Sequence, residues 1–132
     1  HVVASALLAF EPTVNHEAHL VPGVGLLEGI FSYTLTGDGV VVVGTKGDPL
    51  TLRVSPDNPV VTDPDATLAW SGGVTSELKT ELEWRLLIGR GGGEAIQMVF
   101  HGDGYVVVHA KEDQPGGVLR KMKSGLKKLL PF

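Results

Sequence analysis

Two histidine pairs and one glycine loop hold the side chains best suited to chemistry. His16-Glu-Ala-His19 offers two imidazoles and a carboxylate, a donor set that divalent metals accept. On a strand, positions three apart face opposite sides, so one strand cannot aim both rings at one ion. His101 and His109 stand eight apart across a turn and could meet only if the two arms paired as a hairpin. Thr36 and Gly44 hold the corresponding places in an earlier, similar stretch, so this pair is no part of a shared pattern. The residues therefore nominate no metal site and no cofactor. Gly89-Arg90-Gly91-Gly92-Gly93-Glu94 has backbone amides of the kind that cradle anions. A phosphate loop, however, needs Gly-Lys-Ser/Thr opening a helix, and here a strand is expected to follow. The simpler reading is a glycine-rich connection, with Arg90 and Glu94 available to pair. Arg90 to Glu94 are kept as a candidate ligand or subunit contact. With no cysteine and no Gly-x-Ser-x-Gly elbow, nucleophilic catalysis has no candidate. Glu77, Glu81 and Glu83 read as a solvated face. Phe10, Phe31, Tyr33, Trp70, Trp84 and Phe100 could serve as base-stacking platforms, but Phe10 and Trp70 stand at matching positions, which core packing explains better. The expectation is a protein that is not an enzyme.

The elements that must position these groups are short strands. Eighteen glycines and eight prolines, scattered along 132 residues, punctuate runs of valine, leucine and isoleucine. Val2 to Phe10 reads as a strand, and Thr13 to Leu20 alternates loosely. Ile30 to Leu35 shows the period of two of a half-buried strand. Val40 to Val43, Leu50 to Val54 and Val60 to Thr62 follow, each after a turn. Gly37-Asp-Gly39 and Gly102-Asp-Gly104 read as tight turns running into buried valine strands, since Asp-Gly favours hairpin geometry. Ser76 to Leu87 reads as a strand and then a short helix or irregular turn. Residues 118 to 130 set Leu119, Met122, Leu126 and Leu130 on one side of an amphipathic helix.

The pattern runs twice. Leu8-Ala-Phe10 is answered sixty positions later by Leu68-Ala-Trp70, and Val14 and Glu17 by Val74 and Glu77. After the glycine loop the spacing becomes sixty-five: Phe31, Tyr33 and Leu35 fall on Ile96, Met98 and Phe100, and Gly37-Asp-Gly on Gly102-Asp-Gly. A recurring unit of this size predicts two pseudo-equivalent sheets that bury their faces against each other. The expected fold class is all-β: duplicated short double-stranded β-helix or β-sandwich repeats with a C-terminal amphipathic helix. The expected organisation is a first repeat over 1–63, a second over 64–114 sharing one core, and a basic tail over 115–132.

These residues carry a resemblance. Leu8-Ala-Phe-Glu-Pro12, Thr34-Leu-Thr-Gly-Asp-Gly39, Asp48-Pro-Leu50, Val61 to Ser71, Leu87-Ile-Gly-Arg-Gly-Gly-Gly-Glu94 and Gly104-Tyr-Val-Val-Val-His109 resemble the altered inheritance of mitochondria protein 24 family. The likeness spans residues 6 to 113. It implies a short double-stranded β-helix similar to the ring-forming tryptophan RNA-binding attenuation protein. It brings no catalytic motif, and it implies an assembly role by analogy with the mitochondrial branch. The basic tail lies outside it.

Charge narrows the partners. The net charge is −4, yet Arg120, Lys121, Lys123, Lys127 and Lys128 form a tail without an acid, leaving a strongly acidic body that repels nucleic acid. The expectation is a non-enzymatic scaffold, homo-oligomeric and cytoplasmic. Its tail face of Leu119, Met122, Leu126 and Leu130, with Lys121, Lys123, Lys127 and Lys128, would touch a protein partner or an anionic membrane surface. The alternatives are a binding module for a small ligand or RNA, and a metal-dependent enzyme of the barrel type.

Overall fold

The computed structural model describes residues 1–22, 30–80 and 96–110, and these are all-β. Eleven strands run in order: β1 Val2–Val3, β2 Leu7–Phe10, β3 Asn15–Leu20, β4 Phe31–Thr36, β5 Val41–Val43, β6 Pro49–Val54, β7 Val60–Thr62, β8 Thr67–Trp70, β9 Val74–Thr80, β10 Ile96–Gly102 and β11 Gly104–His109. They pair antiparallel into a six-stranded sheet of order β3-β4-β1-β8-β11-β6, a three-stranded sheet β7-β10-β9 and a two-stranded sheet β2-β5. The helices expected after Thr80 and over 118–130 lie outside the described residues.

The pairings recur at the spacings read from the sequence. Asn15 lies opposite Thr36 and Leu20 opposite Phe31 in β3–β4; Thr75 lies opposite His101 and Thr80 opposite Ile96 in β9–β10. Val2 opposite Tyr33 is matched by Thr62 opposite Met98. Phe10, Ala9 and Leu7 face Val41, Val42 and Val43, as Trp70, Ala69 and Thr67 face Val106, Val107 and Val108, each ladder with a register shift at the same place. The registers agree, but the burial does not: β3 is exposed throughout, whereas β9 buries Val74 and Leu78.

Three readings are corrected. Val2 to Phe10 is not one strand. Ala6 N–H closes a turn on the Val3 carbonyl at 2.9 Å, sending β1 into the six-stranded sheet and β2 into the two-stranded one. Gly-Asp-Gly is not a hairpin turn. It is a corner at which the chain leaves one sheet for another, since β4 and β5, like β10 and β11, do not pair. The left-handed backbone falls on the leading glycine, φ 118° at Gly37 and 111° at Gly102, where a Cβ would strike the carbonyl oxygen of Thr13 or Gly73. Finally, the first valine run is not buried. Val40 is 61% and Val42 47% exposed; of the positions that correspond to them in β11, Tyr105 is 52% exposed and Val107 half-buried, while fully buried Val106 corresponds to half-buried Val41. The two strands differ in their neighbours: β11 lies between β8 and β6, whereas β5 has only β2 beside it among the described residues.

The core joins both halves. Val2, Val54, Leu68, Trp70, Met98, Phe100 and Val106 cluster in it, and the Trp70 ring lies 5.3 Å from that of Phe100. Inside it, the hydroxyls of Thr62 and Thr67 bond each other at 2.6 Å, and Thr67 donates to the Asp63 carbonyl at 2.8 Å. That carbonyl belongs to the cap of the 3-10 turn Pro64–Ala66.

Candidate functional site

Two features of the surface could act on something outside the chain. The first is the open edge of the small sheet. β-branched Val41, Val42 and Val43 make a good strand, and one edge of it pairs with β2. Val41 and Val43 turn toward the core, leaving Val40 and Val42 exposed together with Leu8, which is 68% exposed and lies over Gly44. Beside them Phe10 packs on His16 at 5.0 Å between ring centroids, and His16 on Tyr33 at 6.3 Å. Leu8, Phe10, His16 and Tyr33 line a shallow hollow of about 290 Å³. The counterpart edge, on β11, carries β6 along its whole length, from Gly104 opposite Val54 to His109 opposite Pro49. Arg53 fastens that strand. It donates to the Gly104 carbonyl at 2.9 Å, pairs with Asp103 and lies 5.3 Å over the Tyr105 ring.

The second feature is a cavity of about 1200 Å³ where the two halves meet. Val3, Ile30, Leu68 and Ile96 give it apolar walls, with Lys46 and His109 among its polar ones. His109 is buried, and neither ring nitrogen has a hydrogen-bond partner. Buried polar atoms are nearly always paired, so such a group asks for an explanation.

The residues singled out from sequence scatter. His16 and His19 do part: one joins Phe10 and Tyr33, the other sits 3.6 Å from Glu17. His101 and His109 stand in different sheets. His101 is 3.7 Å from Glu77, which also pairs with Lys79 at 3.2 Å. No group of three or more His, Cys, Asp or Glu able to hold a metal occurs among the described residues. Trp70 is core, while Phe31, its side chain directed outward, is exposed. Arg90, Gly91, Gly92, Gly93 and Glu94 lie outside the described residues, as do Trp84, Glu81, Glu83 and the tail with Leu119, Lys121, Met122, Lys123, Leu126, Lys127, Lys128 and Leu130. Among the described residues no helix is long and apolar enough to cross a membrane. Sequence reasoning passed over Leu8, Val40 and Val42, because an exposed valine strand and a buried one read alike. For His109 a signal existed: glycine stands at its counterpart, Gly44.

The described residues define an all-β protein of several antiparallel sheets, sharing one core. The family model described as Mitochondrial biogenesis AIM24 matches residues 1–111, and the chain belongs to that family. No curated protein matches the chain, and no solved structure does.

Proposed function

We propose that this chain is an assembly protein: a duplicated β unit that pairs its open β5 edge with a second copy of itself. The observation that carries the reading is the contrast between two equivalent strands. β11 is sealed on its far edge by β6, a strand from the other half of the chain. β5, which holds the same place sixty-five residues earlier, has no such strand among the described residues. Unpaired N–H and C=O groups along a valine strand are a template for strand addition. A contact between different surfaces of two copies closes into a ring when its rotation allows.

The duplication behind this reading is supported by the shared registers and by the corners. Val40 N–H bonds Glu11 Oε1 at 2.9 Å where Tyr105 N–H bonds Ser71 Oγ at 2.9 Å. In this reading the repeats run over 1–63 and 64–114, and the packing is a short double-stranded β-helix similar to the tryptophan RNA-binding attenuation protein. Residues 115–132 add a basic amphipathic tail, whose apolar face meets a partner subunit or an anionic membrane surface.

Light scattering over a concentration series tests it. The wild type is expected to gain mass with concentration. The double variant Val40→Lys, Val42→Lys is expected to stay monomeric while melting at the same temperature, because both positions are exposed. A wild type that stays monomeric at high concentration, with and without residues 118–132, would remove the proposal.

A further inference from the structure

The two halves are joined by strands whose counterparts stand unused. β1 from the first half lies antiparallel along β8 from the second, Val2 opposite Ala69. His1 and Trp70 exchange both backbone bonds there, at 2.7 and 2.9 Å. The counterpart of β1 is β7, and that of β8 is β2. The likeness is close: β7 lies along β10 as β1 lies along β4. Ala66 N–H closes a turn on the Asp63 carbonyl at 3.0 Å, as Ala6 N–H does on that of Val3 at 2.9 Å. Yet β7 and β2 do not pair with each other. β7 is an edge of the three-stranded sheet, and β2 has only β5 beside it among the described residues. Leucine stands at the same place on β8 and β2, and Leu68 is 3% exposed where Leu8 is 68% exposed.

A twofold relation between the halves would make both joints at once within one chain. Only one forms, so the operation that carries the first half onto the second is not a twofold. Applied once more, it leads from a second half to the first half of another copy. Resting on the self-assembly proposed above, we infer that copies join head to tail: β7 of one copy adds antiparallel to the free edge of β2 of the next, Thr62 opposite Ala9 and Asp63 opposite Leu8. The contact repeats the joint that each chain already holds inside itself, and it covers an open strand edge together with an exposed leucine. β2 and β5 form one sheet and meet the same neighbour, as β8 and β11 both meet the first half, through β1 and β6. Different surfaces are used on the two copies, so the assembly grows chain by chain and ends where the rotation closes a ring.

The chain has no cysteine, so introduced cysteines report the joint without background. Because His1 and Trp70 form a hydrogen-bonded pair, Val2–Ala69 is of the close, non-hydrogen-bonded kind. Its counterpart, Thr62–Ala9, should then hold its Cα atoms about 4.5 Å apart, within the reach of a disulfide. The full chain carrying Ala9→Cys and Thr62→Cys is oxidised and run on a denaturing gel beside the two single variants, with mass followed by light scattering. The double variant is expected to give a ladder of covalent multimers, an equal mixture of the single variants a dimer, and each single variant alone a monomer. A monomer with an internal disulfide would place β2 against β7 of the same chain and overturn the inference. So would Ala9→Cys alone cross-linking as fully as the mixture, the mark of β2 against β2. Mass gain without any cross-link would overturn the joint and leave self-association standing on another surface; no mass gain would remove both. Leu8→Cys with Asp63→Cys, both at exposed positions, is read in the same way and decides the matter if Thr62→Cys, at a buried position, does not fold.

Discussion

Gly102 and Thr67 show how much single residues are asked to hold. At Gly102, φ 111° and the nearness of the Gly73 carbonyl both exclude a side chain. Gly102→Ala is therefore expected to cost about 2–3 kcal/mol of stability in a denaturant titration, and Gly37→Ala a similar amount. Gly72→Ala, with nothing within 4 Å of the new methyl, is expected to change little. Equal effects at Gly72 and Gly102 would show that the corners are not strained in this way. Thr67 donates to the Asp63 carbonyl, a part-buried bond, and meets the Thr62 hydroxyl out of water. Thr67→Val keeps the shape and leaves the buried Thr62 hydroxyl without its partner, while the Asp63 carbonyl still accepts from Ala66 N–H at 3.0 Å, so a loss of about 1–2 kcal/mol is expected in a denaturant titration. At this scale the sequence spoke through Gly-Asp-Gly, whose recurrence marked a special backbone. It did not tell a corner from a hairpin, because an Asp-Gly pair promotes either, and only the partner strand decides.

At the scale of elements, strands were legible where a period of two or a β-branched run met a turn signal, as at β4, β6 and β7. Their partners were not. β1 and β8 meet across most of the first half, Val2 opposite Ala69, and no local pattern announces a pairing so distant in sequence. The break inside Val2 to Phe10 was hidden for a related reason: Ala4, Ser5 and Ala6 fit a strand as well as a turn, and what bends them is the separate destination of β2. Arg53 shows how an element is held once placed. Its guanidinium bonds Gly104, pairs with Asp103 and covers Tyr105, joining β6 to the second corner. Half of that side chain is exposed, so Arg53→Ala is expected to cost only about 0.5–1 kcal/mol. It should also speed amide exchange along β6 more than along β9, a difference that a uniform loss of stability would not produce.

For the whole molecule, the spacing of sixty and then sixty-five residues is the feature that sequence made plainest, and the sheet registers fall on it residue by residue. Function was less legible. A chain without cysteine, and without a described cluster of metal donors, offers few side chains whose chemistry can be named in advance. The candidate sites instead arise from departures between the two stretches: a strand edge paired in one and without a described partner in the other, glycine in one and histidine in the other. Such differences become visible only when the halves are laid over each other. The acidic body and basic tail bear on assembly as well. Self-association through an apolar edge should persist at high salt, whereas contact through the tail with an acidic surface should weaken as salt screens it. Measuring mass at low and high ionic strength separates the two.

Amide hydrogen exchange at β5 tests the central claim most directly. The amides of Val41 to Val43 that do not bond to β2 should exchange slowly in concentrated protein and quickly after dilution, while those of Val106 to Val108 stay slow at both. Protection of β5 that does not change with concentration, whether strong or absent, would contradict an edge that is sealed by a second copy of the chain.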